Sequence, residues 1–302
     1  MKIVITTSSF ATYDRSPLDE LKKKQIDYTI NPYGRKLTSD EVIGLAKDAD
    51  GLVAGTEPLN EDVLQNLPEL KVISRCGVGL DNVDLEKAKE LNIKVYSTPY
   101  GPTLAVAELT LGLMLDLLRK ITAMDREIRK GLWKKQMGSL LTGKKVGIWG
   151  FGRIGQKVAQ VLDPLGVEIA YYDIRIVEGA IPLKSKSELL SWADIITLHC
   201  SANTDGKHAI GEAELKLMKD NAWLINASRG GLVDETALYS ALKKGNLAGA
   251  ALDVFENEPY TGPLCELDNV ILTPHIGSYA KEGRIQMEMQ AVRNLINGLQ
   301  NQ

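Results

Sequence analysis

Short apolar runs rich in β-branched residues alternate with helical periodicity along the whole chain. The first runs are 2–6, 28–30, 51–54, 71–74 and 94–96, and the segments between them, 16–24, 39–46, 60–66 and 85–91, predict helices. Continuous apolar runs predict strands buried on both faces, hence parallel sheets covered by helices. A long helix is predicted over 103–130, with Pro99 and Pro102 at its entrance and Gly131 beyond its end. A second set of runs follows at 145–149, 168–172, 194–199, 222–227, 249–253 and 270–273. The pattern predicts two doubly wound α/β domains with parallel sheets. The last helix, 281–299, has no strand after it and is expected to return to the first domain, the alternative being that it caps the second. The return makes the first domain discontinuous, 1–98 plus 281–302, and the second 99–280, with hinges near 97–101 and 277–281.

Composition changes this picture little. At 302 residues the chain is long enough for about two domains. Its 36 Lys+Arg against 39 Asp+Glu give a net charge of −3, so no global basic field exists for nucleic acid or an anionic membrane, and neither is an expected partner. Three cysteines, Cys76, Cys200 and Cys265, form no metal-type pair; no metal site is expected, and a reduced, cytoplasmic compartment is. The apolar stretch 104–118 is interrupted by Glu108 and Asp116, which reads as a buried helix and not a membrane span. No signal-peptide core follows Met1.

Candidate chemistry begins at Gly150-Phe151-Gly152-Arg153-Ile154-Gly155, directly after the predicted strand 145–149 and opening a helix over 153–162. Glycines permit the tight turn, and the helix N-terminus offers backbone N–H groups and partial positive charge to a pyrophosphate. Asp173 ends the next strand, eighteen positions after Gly155, near the ~20 expected for the acid that binds an adenosine ribose. A carboxylate there favours NAD over NADP, although Arg175 follows closely. The plainer alternative is a glycine turn that merely packs a helix on a sheet.

The chain has three histidines. His208 falls in the polar segment 203–208, read as a surface loop. His199 ends the run 194–199, where it either borders the cofactor or stands behind it. His275 follows the run 270–273 at a strand's carboxyl end. Arg229 follows 222–227, and Glu256 and Glu258 follow 249–253. A guanidinium, a carboxylate and an imidazole at successive strand ends are what reduction of a 2-oxo acid needs. The arginine binds carboxylate or carbonyl oxygen, the protonated histidine delivers the proton, and the acid stabilises imidazolium. Each has a bland alternative: surface ion pair, helix cap, loop residue.

These residues carry a resemblance. Through Ser74-Arg75-Cys76-Gly77-Val78-Gly79-Leu80-Asp81-Asn82-Val83-Asp84, Ala105-Val106-Ala107-Glu108, the glycine loop and segments 226–235, 251–259 and 273–278, the chain resembles the NAD-dependent D-2-hydroxyacid dehydrogenases, in particular their phosphoglycerate dehydrogenase-like branch. The resemblance implies two Rossmann/flavodoxin-like domains separated by a cleft, the first substrate-binding and the second NAD-binding. It implies Arg229, Glu258 and His275 as catalytic, with Glu256 a decoy. Gly150, Gly152, Arg153, Ile154, Gly155, Asp173, Cys200, Ala227, Asp253 and Gly277 match cofactor positions. Arg75, Gly77, Val78 and Gly79 match a substrate turn that works together with Arg229 and His275. It further implies a homodimer through the second domain and its long helix.

The implied reaction interconverts a 2-oxo acid and a D-2-hydroxy acid, either 3-phosphoglycerate/phosphohydroxypyruvate or a related small, phosphorylated or phosphonate acid. Two departures weigh against 3-phosphoglycerate: the stretch 54–58 has no basic residue, and Tyr100 and Pro102 stand where that branch commonly has asparagines. Arg75, Lys134 and Lys135 remain as cations for a phosphate. The alternatives are a glyoxylate/hydroxypyruvate reductase and a non-catalytic, NAD(H)-sensing protein like the corepressors built on this fold.

Overall fold

The computed structural model describes residues 1–179, 181–201 and 206–300. Residues 203–205 of the expected polar loop therefore lie outside the described residues. The chain divides into two compact units, Met1–Pro102 with Ser278–Gln302, and Thr103–Gly277.

The first unit is built on β1 (Lys2–Ile5), β2 (Asp27–Ile30), β3 (Gly51–Ala54), β4 (Val72–Arg75) and β5 (Lys94–Tyr96), in the order β2-β1-β3-β4-β5. Every pairing is parallel, with Ile3 opposite both Tyr28 and Gly51. Alternate side chains of one strand feed opposite layers. Val4, Leu52 and Ile73 pack with Val42, Val63 and Ala88 of the helices Ser39–Ala46, Glu61–Gln65 and Leu85–Glu90. Ile3, Ile5, Val53 and Val72 pack on the other face with Leu18 and Leu21. Met287, Ala291, Val292 and Leu295 of the final helix, Lys281–Gln300, complete that face. Leu295 is fully buried, and truncating such a leucine to alanine costs about 2–5 kcal/mol. Sequence-local signals start the covering helices: Thr38 and Glu41 form a capping box, and Asn60 and Asp84 cap by side chain.

The second unit carries β6 (Lys145–Trp149), β7 (Glu168–Tyr172), β8 (Ile195–Leu198), β9 (Ala222–Asn226), β10 (Leu247–Leu252) and β11 (Val270–Leu272), in the order β11-β10-β9-β8-β6-β7. This sheet is also parallel throughout. The single helix expected over 103–130 is instead two, Tyr100–Arg119 and Ile121–Arg129. Lys120 between them is left-handed, at φ 54°. Asp116 takes over the start of the second helix by accepting from Thr122 N at 2.8 Å and from Thr122 Oγ1. Tyr100–Arg119 has the length and apolar character of a membrane span, yet half of that window is buried. Its Ala107, Leu113, Met114, Leu117 and Leu118 share a core with Val146 and Ile148 of β6.

Strand order reverses between β1 and β3 in one sheet and between β6 and β8 in the other. In doubly wound sheets ligands bind outside the carboxyl ends of the strands at such points.

Candidate active site

At the reversal between β6 and β8, Gly150 leaves β6 with φ +97°, and its N–H donates to Tyr172 O at 2.8 Å. A Cβ on Gly150 would lie 2.5 Å from the backbone of His199, so the two strand ends meet there. The helix Arg153–Leu162 starts at Gly152 without a side-chain cap, and helix starts of this kind suit an incoming anion. Gly152 itself faces open space. Asp173 at the end of β7 turns back over this loop, accepting from Phe151 N at 2.5 Å and Arg175 N at 2.9 Å. A carboxylate keeps lone pairs for two further donors, such as ribose hydroxyls. The uncapped helix start, the open glycine and this acid fit a dinucleotide.

Between this loop and the neighbouring strand ends runs a polar chain. Ser228 Oγ donates to Cys200 O at 2.5 Å, joining the end of β8 to the turn after β9. Burial pushes the Cys200 thiol up to about 11. His199 Nε2 lies 2.8 Å from Thr197 Oγ1, while its Nδ1 is buried without a hydrogen-bond partner among the described residues. Burial drives that imidazole's pKa down to about 3, so His199 is a neutral ring behind the loop.

The turn after β9 bears Arg229. Asn226, fully buried, holds this turn with both ends of its amide: Nδ2 donates to Arg229 O at 2.9 Å and Oδ1 accepts from Ser228 N at 3.1 Å. Arg229 is half-buried, and its Nη1 donates to Ser228 O at 2.7 Å. The next residue, Gly230, presses so closely on the turn after β10 that a Cβ would overlap Phe255 O. That turn carries Glu258, whose Oε1 accepts from Phe255 N at 3.2 Å.

His275 lies 2.9 Å from Glu258 Oε2 and 3.1 Å from Oε1, both through Nδ1. Its backbone is left-handed, at φ 54°, a strained state for a non-glycine residue. Asp253, fully buried at the end of β10, sustains that state. Its Oδ1 accepts from Thr273 Oγ1 at 2.6 Å and Ile276 N at 2.8 Å, and its Oδ2 from Gly277 N at 2.8 Å. Burial still raises the Asp253 carboxyl above its ordinary range. Expected as a cofactor residue, Asp253 is seen here gripping both sides of His275. Neither Asn226 nor Asp253 was legible as a turn-holder; the only sequence signal is an Asx residue at a strand's last position.

Glu256, the expected decoy, is paired elsewhere: its Oε1 lies 2.9 Å from His208 Nε2. His208 lies exposed outside the helices and strands, as expected of a surface loop, with its ring on Glu256. In the first unit, the turn Arg75–Gly79 follows β4. Gly77 N is engaged by Thr98 Oγ1 at 2.7 Å, whereas the amides of Val78 and Gly79 donate to no protein group among the described residues. Cys76 in this turn is buried, which pushes its thiol up to about 12 and removes it as a nucleophile. Among the described residues no group of His, Cys, Asp and Glu could hold a metal ion.

Residues 111–277 match the family model for the D-isomer specific 2-hydroxyacid dehydrogenase, NAD binding domain. D-3-phosphoglycerate dehydrogenase of Methanocaldococcus jannaschii is 44% identical over 259 residues, covering 82% of this chain and 49% of that protein, so the chain spans about half of that relative's length. Glyoxylate reductase of Thermococcus litoralis is 43% identical over 266 residues, covering 83% of this chain and 80% of that one. The crystal structure of the TT0316 protein from Thermus thermophilus superposes with a TM-score of 0.93 at 35% identity, covering 100% of this chain and 98% of that one. The glycine loop, Asp173 and the Arg229, Glu258 and His275 turns all fall inside the matched domain, and the chain belongs to the D-isomer specific 2-hydroxyacid dehydrogenases, a family of NAD-binding oxidoreductases.

Proposed function

We propose that this protein interconverts a small 2-oxo acid and its D-2-hydroxy acid, with His275 as proton donor in the reductive direction. The observation that carries the reading is the 2.9 Å contact between Glu258 Oε2 and His275 Nδ1 on a ring left half-exposed. NADH, when bound, supplies the hydride. With Nδ1 held by Glu258, Nε2 is the atom that delivers the proton to the carbonyl oxygen. Oxidation runs the same proton back onto Nε2. Arg229, on its Asn226-braced turn, aligns the 2-oxo acid by a charge-assisted pair.

Gly150, Gly152, Arg153, Ile154 and Gly155 would hold the pyrophosphate and Asp173 the ribose; Cys200, Ala227, Asp253 and Gly277 would border the rest. In the first unit the Val78 and Gly79 amides are suited to a carboxylate, as unengaged successive N–H groups are. Arg75 and Gly77 shape that turn.

Two substrate classes are open within the family, phosphohydroxypyruvate/3-phosphoglycerate and unphosphorylated glyoxylate or hydroxypyruvate. The carboxyl end of β3 favours the second. Glu57 there is 1% exposed and accepts from Thr6 Oγ1 and, at 2.8 Å, from Gly55 N. The stretch 54–58 has no basic residue to pair a phosphate, and the one carboxyl group it carries is turned inward onto Thr6 and Gly55. The test is NADH consumption with glyoxylate, hydroxypyruvate, pyruvate and phosphohydroxypyruvate. Highest kcat/KM on an unphosphorylated acid is expected. Preference for phosphohydroxypyruvate reverses the substrate reading, and tight NADH binding without turnover of any acid would instead indicate a sensor.

A homodimer is part of this reading. Ile121, Ile128, Leu132, Trp133, Met137 and Leu140 are exposed, Trp133 at 82% and Met137 at 90%, which is a large apolar surface for one short segment. Sedimentation should give twice the chain mass, and Trp133→Glu should lower it.

A further inference from the structure

The turn after β10 carries two glutamates, and each has its own imidazole. Glu258 holds His275 Nδ1 at 2.9 Å, and Glu256 Oε1 lies 2.9 Å from His208 Nε2. His208 is fixed from behind. The amides of Ala209 and Ile210 both donate to Leu232 O, at 2.8 and 2.9 Å, and Ile210 bridges Val233. The other ring nitrogen of His208 lies 3.9 Å from Asp234 Oδ2, the residue that caps the helix Glu235–Lys243. Glu256 is held a second time, because its N–H donates to Glu235 Oε1 at 2.8 Å.

Three acids from two elements therefore face His208: Asp234 and Glu235 at the helix start, and Glu256 on the turn. Lys207 adjoins it in the chain. Burial raises the Glu235 carboxyl. The His208 ring sets one nitrogen beside Glu256 and the other toward Asp234, so a single side chain links the turn to the helix start.

Glu258 reaches His275 through a flexible side chain, so its aim depends on the backbone beneath it. That backbone is set on one side by Gly230 against Phe255 and on the other by whatever holds Glu256.

We propose that His208 and Glu256 form a positioning pair that fixes the turn so that Glu258 stays on His275. The proposal rests on His275 being the proton donor. The pair touches neither substrate nor cofactor; it acts through Glu258.

The experiment uses the full chain with ring-labelled histidine, whose three residues give three sets of ring signals. Variants are Glu256→Ala, Glu256→Gln, which keeps an acceptor for Nε2–H, and His208→Gln. Glu256→Ala should displace the His275 ring signals and lower kcat for 2-oxo acid reduction roughly ten-fold, as misplacement of a catalytic group by a fraction of an ångström does. The KM for NADH should hold within about two-fold, because the glycine loop is untouched. Glu256→Gln should restore most of the turnover, and His208→Gln should fall between. Wild-type His275 signals and kcat in both Glu256→Ala and His208→Gln, with only a lower Tm, would overturn the pair as a positioning device. Failure of the proton-donor reading looks different: His275→Ala would keep its turnover, whereas the ring signals report the pair whether or not any acid is turned over.

Discussion

The two halves of the second unit's sheet edge are built in opposite ways. At β6, β7 and β8 the contacts are mostly backbone: the Gly150 and Phe151 amides, the uncapped helix start, and one carboxylate, Asp173. At β9, β10 and β11 the candidate groups are side chains, each on a turn held by another side chain. Asn226 braces Arg229, Asp253 grips the His275 turn, and Glu235 and His208 hold Glu256 beside Glu258. A backbone cradle needs glycine and little else. A side-chain constellation needs support to within about half an ångström. Substitutions in the first half should therefore register in dinucleotide affinity, and those in the second in turnover.

The largest effect expected is His275→Ala. Removing a general acid typically costs 10²–10⁴-fold, so kcat should fall by about two orders of magnitude or more while NADH binding, followed by fluorescence, stays near wild type. Turnover within a few-fold of wild type would erase the distinction between the halves. Asp253→Asn is the sharper probe. The amide would set an NH₂ against one of three donors that the carboxylate accepts, Thr273 Oγ1, Ile276 N and Gly277 N, and so release the left-handed His275. A loss in kcat of roughly ten-fold or more with NADH affinity retained is expected. Weakened NADH binding at unchanged kcat would instead make Asp253 a cofactor contact.

How much of this was legible in the sequence follows the same division. The glycine loop is contiguous, and its spacing, its strand and its helix all lie within a short window. Its reading and the α/β class rest on local pattern alone. Arg229, Glu258 and His275 could be picked out as strand-end residues. What holds them could not, because Asp253 acts across 20 to 24 residues and His208 reaches Glu256 from a different strand end. Local signals likewise gave no break at Lys120. A lysine carries no turn preference, and the left-handed residue is sustained by Asp116 side-chain bonds to Thr122. Glu256 and Glu258 were separable by sequence only through the resemblance; the structure separates them by the partner each one meets.

Asp173→Ala probes the nucleotide half. The carboxylate is aimed by Phe151 N and Arg175 N, and its loss removes both a ribose acceptor and a charge that repels a 2′-phosphate. The ratio of kcat/KM for NADH over NADPH should drop roughly ten-fold, with Arg175 left to meet the phosphate. An unchanged ratio would mean that another group reads the ribose.

His199 sits where the halves meet and tests whether their common wall is tuned for chemistry or for packing. Its folded pKa is about 3, against 6.5 for a free histidine. Between those values the unfolded chain binds a proton that the folded chain does not. This residue therefore destabilises the fold progressively as pH falls from about 6.5 towards 3, and has no effect above that window. From pH 7 to pH 5 the loss through His199 is at most about 2 kcal/mol, read as a lower urea midpoint. His199→Gln should flatten that acid slope. Its turnover at pH 7 should change little, since the ring is neutral and faces Thr197 and not the dyad. A turnover loss comparable to that of Asp253→Asn would bring the wall into the catalytic half and move the boundary between backbone cradle and side-chain site from β8–β9 to β6–β8.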